Sequence, residues 1–128
     1  MNHLSIHALE DFPLIRPNDN LSSIIIDSII NNNISIDNGD VILIAQKVVS
    51  KSENRYKDLS KINPSKEAIN IGESLDRDPA FIQLILEESN EILSTDKNVI
   101  IVEHKLGYIN INAGIDRSNI SENKNLVL

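Results

Sequence analysis

The sequence predicts an α+β fold, a mixed sheet with flanking helices, in one domain over residues 1–128. Three observations predict it. Runs of β-branched residues with strand character share the chain with segments of helical apolar spacing. The two kinds do not strictly alternate, as a parallel βαβ arrangement would require. Two strand-like runs near the end lie close enough to form a hairpin. The 128 residues suffice for one domain with a real core.

Taken in order, residues 4–9 read as a first strand. Pro13 and Pro17 punctuate the loop after it, since neither suits a central strand. Asn18, Asp19 and Asn20 offer N-caps for a helix that carries Leu21, Ile24, Ile25, Ile29 and Ile30 on a buried face. The helix should end in the run Asn31-Asn32-Asn33, which reads as compositional. Asp37-Asn-Gly-Asp40 reads as a tight turn, with Gly39 free to take positive φ. An apolar strand starts at Val41 and gives way to a charged loop as far as Asp58.

Asn63-Pro64 predicts a helix start with proline at the first helical position, running to about Leu75. Asp78-Pro79 repeats that punctuation. The helix from Pro79 should turn Phe81, Ile82, Ile85 and Leu86 inward, with Glu87, Glu88 and Glu91 on a solvated face. Residues 98–102 and 108–111 are the hairpin strands, with the turn at Leu106-Gly107. Residues 125–128 resemble the opening of one more strand, able to dock at a sheet edge.

Composition narrows the function. Hydrophobic residues make up 41% and aromatics 3%, so the core must be aliphatic. Nineteen acidic against twelve basic residues give a net charge of -7. That balance argues against nucleic-acid binding, which needs a basic footprint. With no cysteine, neither a disulfide framework nor a thiolate metal site can form. His3, His7 and His104 show no metal-ligand spacing. No apolar run reaches the roughly 18 residues of a membrane span, and no signal-peptide pattern opens the chain. A cytoplasmic protein is expected.

Two segments carry chemistry. Asn112-Ala-Gly-Ile-Asp-Arg-Ser-Asn119 follows a strand and brings amide, glycine, carboxylate, guanidinium and hydroxyl together. Asp116 can offer oxygen to magnesium or manganese. Arg117 can offer a planar fork to phosphate, and Gly114 allows close backbone approach. A polar turn capping a strand is the plainer alternative. The second segment is the apolar run from Val41 ending in Ala45, Gln46, Lys47, Ser50 and Lys51. Buried strands deliver functional groups at their ends, where Lys51 or Lys47 would face solvent and meet phosphate oxygens.

Ala45-Gln-Lys-Val-Val-Ser-Lys-Ser-Glu53 followed by Asn112-Ala-Gly-Ile-Asp-Arg-Ser-Asn119 resembles the coenzyme F420-0:L-glutamate ligase family. Glu10-Asp-Phe-Pro13 and the stretch from Asp78 to Ser89 fit the same pattern in the same order. The resemblance implies the N-terminal half of that family's catalytic domain. It implies GTP- and metal-dependent ligation of L-glutamate to coenzyme F420-0, with magnesium or manganese as the metal. By the resemblance, Asp116 is a metal ligand. Glu10, Asp11, Phe12, Pro13, Ala45, Gln46, Ser50, Lys51 and Asn119 are nucleotide-binding positions.

Two departures qualify it. Asp11 and Asn54 stand where the family has glycine. They are the non-glycine types that best tolerate left-handed backbone, so the loops are expected to keep their shape. The family domain also continues for a portion of comparable size that holds a further metal-binding aspartate. The chain is therefore expected to be inactive alone. It would need the missing C-terminal half, with a homodimer as another assembly. The alternative is a nucleotide-binding or oligomerising module without catalysis.

Overall fold

The protein is described from a computed structural model, which covers residues 3–96, 99–117 and 126–128. It contains two compact units, Met1–Arg55 and Tyr56–Leu128.

In the first unit, helix α1 spans Leu21–Asn31. Asn20 caps it as the sequence predicts, its side-chain oxygen accepting from the Ser23 N–H at 3.1 Å. Ile25 is buried, but Ile30 is exposed rather than part of the inward face. The asparagine run has a structural task that a compositional reading misses. The Asn32 N–H bonds to the Ser28 and Ile30 carbonyls to close the helix. Asn33 then takes φ +54°, the left-handed conformation that commonly follows a helix end. The Asn32 amide also grips Glu10, accepting from its N–H at 2.9 Å and donating to its carbonyl at 3.3 Å. The turn at 37–40 forms as expected, with the Asp40 N–H on the Asp37 carbonyl and Gly39 at φ +102°.

Two predicted strands are absent. Residues 4–9 and 41–45 join no ladder. Val41 and Leu43, which a strand would point to one side, are 79% and 87% exposed; Ile42, on the other side, is 53% exposed. A strand needs a neighbour to take its N–H and C=O groups, and none pairs with these segments among the described residues. The chain instead enters helix α2, Gln46–Ser52, directly.

The second unit carries most of the regular structure. Strand β1, Lys57–Asp58, leads into a 3-10 turn at Leu59–Lys61. Asp58 caps that turn. Bonds from the Ser60 hydroxyl and then from the Ser60 N–H hold its carboxyl below the ordinary aspartate range, helped by the Lys61 charge. Helix α3 spans Lys66–Leu75 and begins two residues later than predicted. Pro64 lies outside it because the Ser65 hydroxyl, accepting from the Ala68 N–H at 3.1 Å, supplies the cap. Helix α4, Pro79–Glu87, has Asp78 as cap and Pro79 in its first turn, as predicted. Phe81, Ile82, Leu84 and Ile85 are buried, so Leu84 joins the inward set, while Leu86 is only partly covered.

The helix stops at Glu87, short of the acidic face predicted to include Glu91. A strand the sequence reading missed follows, β2 at Ser89–Ser94. It pairs with β3, Ile101–His104, through a register broken by two irregularities. Such shifts blur the alternation from which strands are recognised. The predicted hairpin forms between β3 and β4, Ile109–Ile111, giving the order β2-β3-β4. Gly107 closes its turn at φ +84°, and the His104 ring stacks on Tyr108 at 4.5 Å. The predicted terminal strand also exists, β5 at Leu126–Val127, and it pairs with β1 of the same chain. Every pairing among the described residues is antiparallel, and the architecture is α+β. Ile82, Ile85, Ile100, Val102 and Val127 form the fully buried centre, the aliphatic core that the composition requires. Among the described residues no helix is long and apolar enough to cross a membrane.

Gly72 determines how α3 meets α4. The Asp76 and Arg77 N–H groups both bond to its carbonyl, the latter at 2.8 Å. A Cβ on Gly72 would lie 2.8 Å from the Arg77 carbonyl oxygen and 3.1 Å from Pro79 Cγ. Alanine would gain roughly 1 kcal/mol of helix propensity, but overpacking against backbone costs about 1–3 kcal/mol. Gly72→Ala is expected to lower stability by about 1 kcal/mol net, read from the midpoint of urea unfolding. An unchanged or raised midpoint would contradict the close approach.

Candidate functional site

Residues 112–117 of the motif singled out in the sequence form one wall of a cleft in the second unit. After β4, Asn112–Gly114 make a 3-10 turn in which Asn112, Ala113 and Gly114 take φ of +53°, +54° and +76°. Three successive left-handed residues are costly, of order 1–3 kcal/mol for each that is not glycine. Surrounding structure offsets the cost. The Asn112 N–H bonds to the Ile100 carbonyl at 2.8 Å, the Ile115 N–H returns to the Asn112 carbonyl, and Ala113 is buried.

The turn delivers Asp116 to a half-buried position. Its backbone exchanges two hydrogen bonds with Leu128, at 2.8 and 3.0 Å, which fixes the main chain on one side. The opposite wall is the α3–α4 turn, where Asp76 adopts φ +51°. Asp76, Arg77, Asp78, Phe81, Asn112, Ile115, Asp116 and Arg117 line a space of about 350 Å³.

Arg117 is placed differently from its predicted use. Its guanidinium donates to Asp78 Oδ2 at 2.9 Å and lies 4.6 Å from the centre of the Phe81 ring. The fork expected to face phosphate is thus engaged within the protein. Both partners are two-fifths exposed, so the ion pair contributes only about 0.2–1 kcal/mol, and stacking on Phe81 about 0.5–1 kcal/mol. Those magnitudes set a geometry more than they stabilise a fold. Arg77 lies 5.9 Å from the same ring and donates to Asn112 Oδ1 at 3.3 Å. The sequence reading missed Arg77, Asp78 and Phe81 as site residues. The available signal was the Asp78-Pro79 cap, which places a carboxylate at a helix start.

Three carboxylates face two guanidiniums in this cleft. Among the described residues no three His, Asp or Glu side chains converge as a metal cluster. Of the three, Asp116 is the half-buried carboxylate and could offer one oxygen to a hard cation. Magnesium commonly takes one or two carboxylates and draws its other oxygens from water and phosphate.

The remaining predicted residues lie in the first unit, except Asn119, which lies outside the described residues. Glu10 and Asp11 form an exposed turn held by Asn32, beside an open depression of about 660 Å³. Phe12 is half-buried and Pro13 exposed. Asp11 at φ +52° and Asn54 at φ +53° adopt the left-handed backbone expected of glycine replacements. Ala45 and Gln46 are exposed at the start of α2. The functional groups predicted at the end of a strand belong instead to this helix. Its spacing places Lys47 with Lys51, and Gln46 with Ser50, one turn apart. Lys51 and Ser50 are half-buried, so Lys51 is less solvent-facing than predicted.

A family model described as F420-0:Gamma-glutamyl ligase matches residues 11–128. The coenzyme F420:L-glutamate ligase of Methanothermobacter thermautotrophicus is 35% identical over 119 residues, which are 93% of this chain and 47% of that protein. The protein of the same name from Methanocaldococcus jannaschii is 46% identical over 85 residues, 66% of this chain and 34% of that one. The one from Halorubrum lacusprofundi is 32% identical over 131 residues, 98% of this chain and 50% of its own length. The chain spans about half the length of these curated relatives, or less.

Proposed function

This chain belongs to the F420-0:gamma-glutamyl ligase family, and we propose that it forms part of an enzyme that ligates L-glutamate to coenzyme F420-0 in the cytoplasm. GTP is the phosphoryl donor in this reading, and magnesium or manganese the metal. The terminal phosphoryl group passes from GTP to the lactyl carboxylate, releasing GDP. The amine of glutamate then attacks the acyl phosphate carbon and phosphate departs, leaving the amide. A bound cation supplies neutralisation of phosphate charge.

The observation that carries the reading is the placement of Asp116. It is a half-buried carboxylate whose main chain is bonded both ways to Leu128. Asp116 would hold the cation, whose charge would offset that of the phosphates. Glu10, Asp11, Phe12, Pro13, Ala45, Gln46, Ser50, Lys51 and Asn119 contact the nucleotide, with Lys51 on phosphate. The left-handed Asp11 and Asn54 keep the loop shapes that glycine would give, so a side chain is added without redirecting the backbone. A second reading is a nucleotide-binding or oligomerising module without catalysis. Its support is that Asp76 and Asp78 share the cleft with Asp116, yet among the described residues the three are not placed to hold a metal ion together.

Asp116→Asn removes the charge and nearly preserves the volume. Manganese-dependent GTP binding should fall at least about tenfold, as loss of a charge-assisted contact implies, with little change in melting temperature. Equal manganese affinity by calorimetry would remove Asp116 from the site.

Lys51→Ala should weaken GTP more than guanosine, because an ammonium reads phosphate as a point charge. Its stability cost should stay within about 1 kcal/mol, the upper scale of a cation in a helix's last turn. Equal weakening of both ligands would shift the role to Lys47, which the paired variant tests.

The ligation is proposed to require the part of the enzyme that the relatives carry outside the matched half. Positioning supplies up to roughly 7–11 kcal/mol of such catalysis, so half a site should lose nearly all the rate. The chain with GTP, manganese, glutamate and coenzyme F420-0 should give no product until that half, taken from the Methanothermobacter thermautotrophicus protein, is added. Turnover by the chain alone at the rate of the intact relative would refute this. Nucleotide binding with no turnover after addition would favour the module.

A further inference from the structure

We propose that Arg77 and Asp78, neighbours in the turn between α3 and α4, form a clamp that positions Asp116. The consequence for metal binding rests on the reading of Asp116 as a ligand; the clamp itself does not.

Two adjacent residues grip both ends of one six-residue loop. Arg77 donates to the side chain of Asn112, the first residue of the loop, and Asp78 accepts from Arg117, the last. The contacts cross 35 and 39 residues of sequence. Asp78 is itself held before it meets Arg117, because its Oδ1 accepts from the Ala80 N–H at 2.9 Å as the cap of α4. One carboxylate thus ties the helix start to the loop end. Phe81, buried beneath, lies within 4.6 Å of one guanidinium and 5.9 Å of the other.

The loop has reason to need an external hold. Its first three residues are left-handed, a conformation that persists where surrounding structure over-determines it. Leu128 fixes the main chain at Asp116. The clamp fixes the side chains on either flank, so the carboxylate between them has little freedom to swing. Arg77 and Asp78 are positioning residues in this scheme.

The test uses the full chain with Asp78→Asn, Arg117→Gln and the double variant. Asparagine caps a helix about as well as aspartate, so Asp78→Asn removes the ion pair and leaves α4 intact. Amide hydrogen exchange at Asp116, followed by NMR, should speed up by as much as about fivefold in both single variants, the scale of an exposed ion pair, because the loop must open to release the Asp116 N–H from the Leu128 carbonyl. The double variant should be no worse than the more affected single one, since both break one contact. Arg117→Lys keeps the charge but loses the flat face on Phe81, and should retain only part of the protection.

Manganese affinity, read by electron paramagnetic resonance, adds a test of sign. If net charge alone governed, removing the positive Arg117 would raise cation affinity. The clamp requires it to fall, together with that of Asp78→Asn. Unchanged exchange at Asp116 in both single variants, or tighter manganese binding by Arg117→Gln, would overturn the proposal. Faster exchange in a chain whose unaltered form binds no manganese would support the clamp and remove the metal assignment instead.

Discussion

The carbonyl of Gly72 accepts from the Asp76 and Arg77 N–H groups, and the cleft depends on that doubly accepted bond. It ends α3 and lets the chain reverse within three residues. It also starts α4 with Asp78 at its cap. Because the turn is this tight, Arg77 and Asp78 emerge side by side and reach the same loop. A longer connection would separate them and leave the loop with one hold. Phe81 follows one turn later on α4, where it both enters the core and lies under the two guanidiniums. Packing and site geometry therefore share residues, and the core cannot be rearranged at Phe81 without moving Arg117.

Backbone handedness explains much of the odd composition. The chain has only four glycines. Among the described residues Asp11, Asn18, Asn33, Asn54, Asp76, Asn112 and Ala113 adopt positive φ without being glycine. All but Ala113 are Asp or Asn, the side chains that best tolerate that region by bonding locally. Asparagine thus does in this chain what glycine does in many others. It stiffens turns relative to glycine, since the unfolded chain has less freedom to lose. Ala113 has no polar group to compensate, and its burial is what holds it in place.

Legibility followed the range of the signals. Helices α1 and α4 could be read because caps at Asn20 and Asp78 and the apolar spacing lie within a few residues of one another. The hairpin could be read for the same reason, with Gly107 at its turn. Residues 4–9 and 41–45 have strand-like composition, but a strand is a property of a pair. β2 was hidden by its broken register and by acidic residues that mimic a helix surface. In the cleft, the place of Asp116 in a loop leaving a strand was visible in its motif. The use of Arg117 was not, since its partner lies 39 residues away and local sequence cannot report a contact at that separation.

An arginine next to a carboxylate proposed to hold a cation looks counterproductive. A unit charge and a divalent cation about 6 Å apart repel by about 5.5 kcal/mol at an effective dielectric near 20, enough to cost roughly ten-thousandfold in cation affinity. Asp78 changes that balance. Its carboxylate, 2.9 Å from the guanidinium, cancels most of the field that Arg117 would exert on its surroundings. Lysine in the same place would carry its charge on a flexible stem without the flat face that stacks on Phe81. The pair therefore gives the loop a rigid planar anchor at little electrostatic expense to its neighbour. The exposed pair contributes little to folding energy, so its consequence is geometric, in setting where the loop ends beside Asp116.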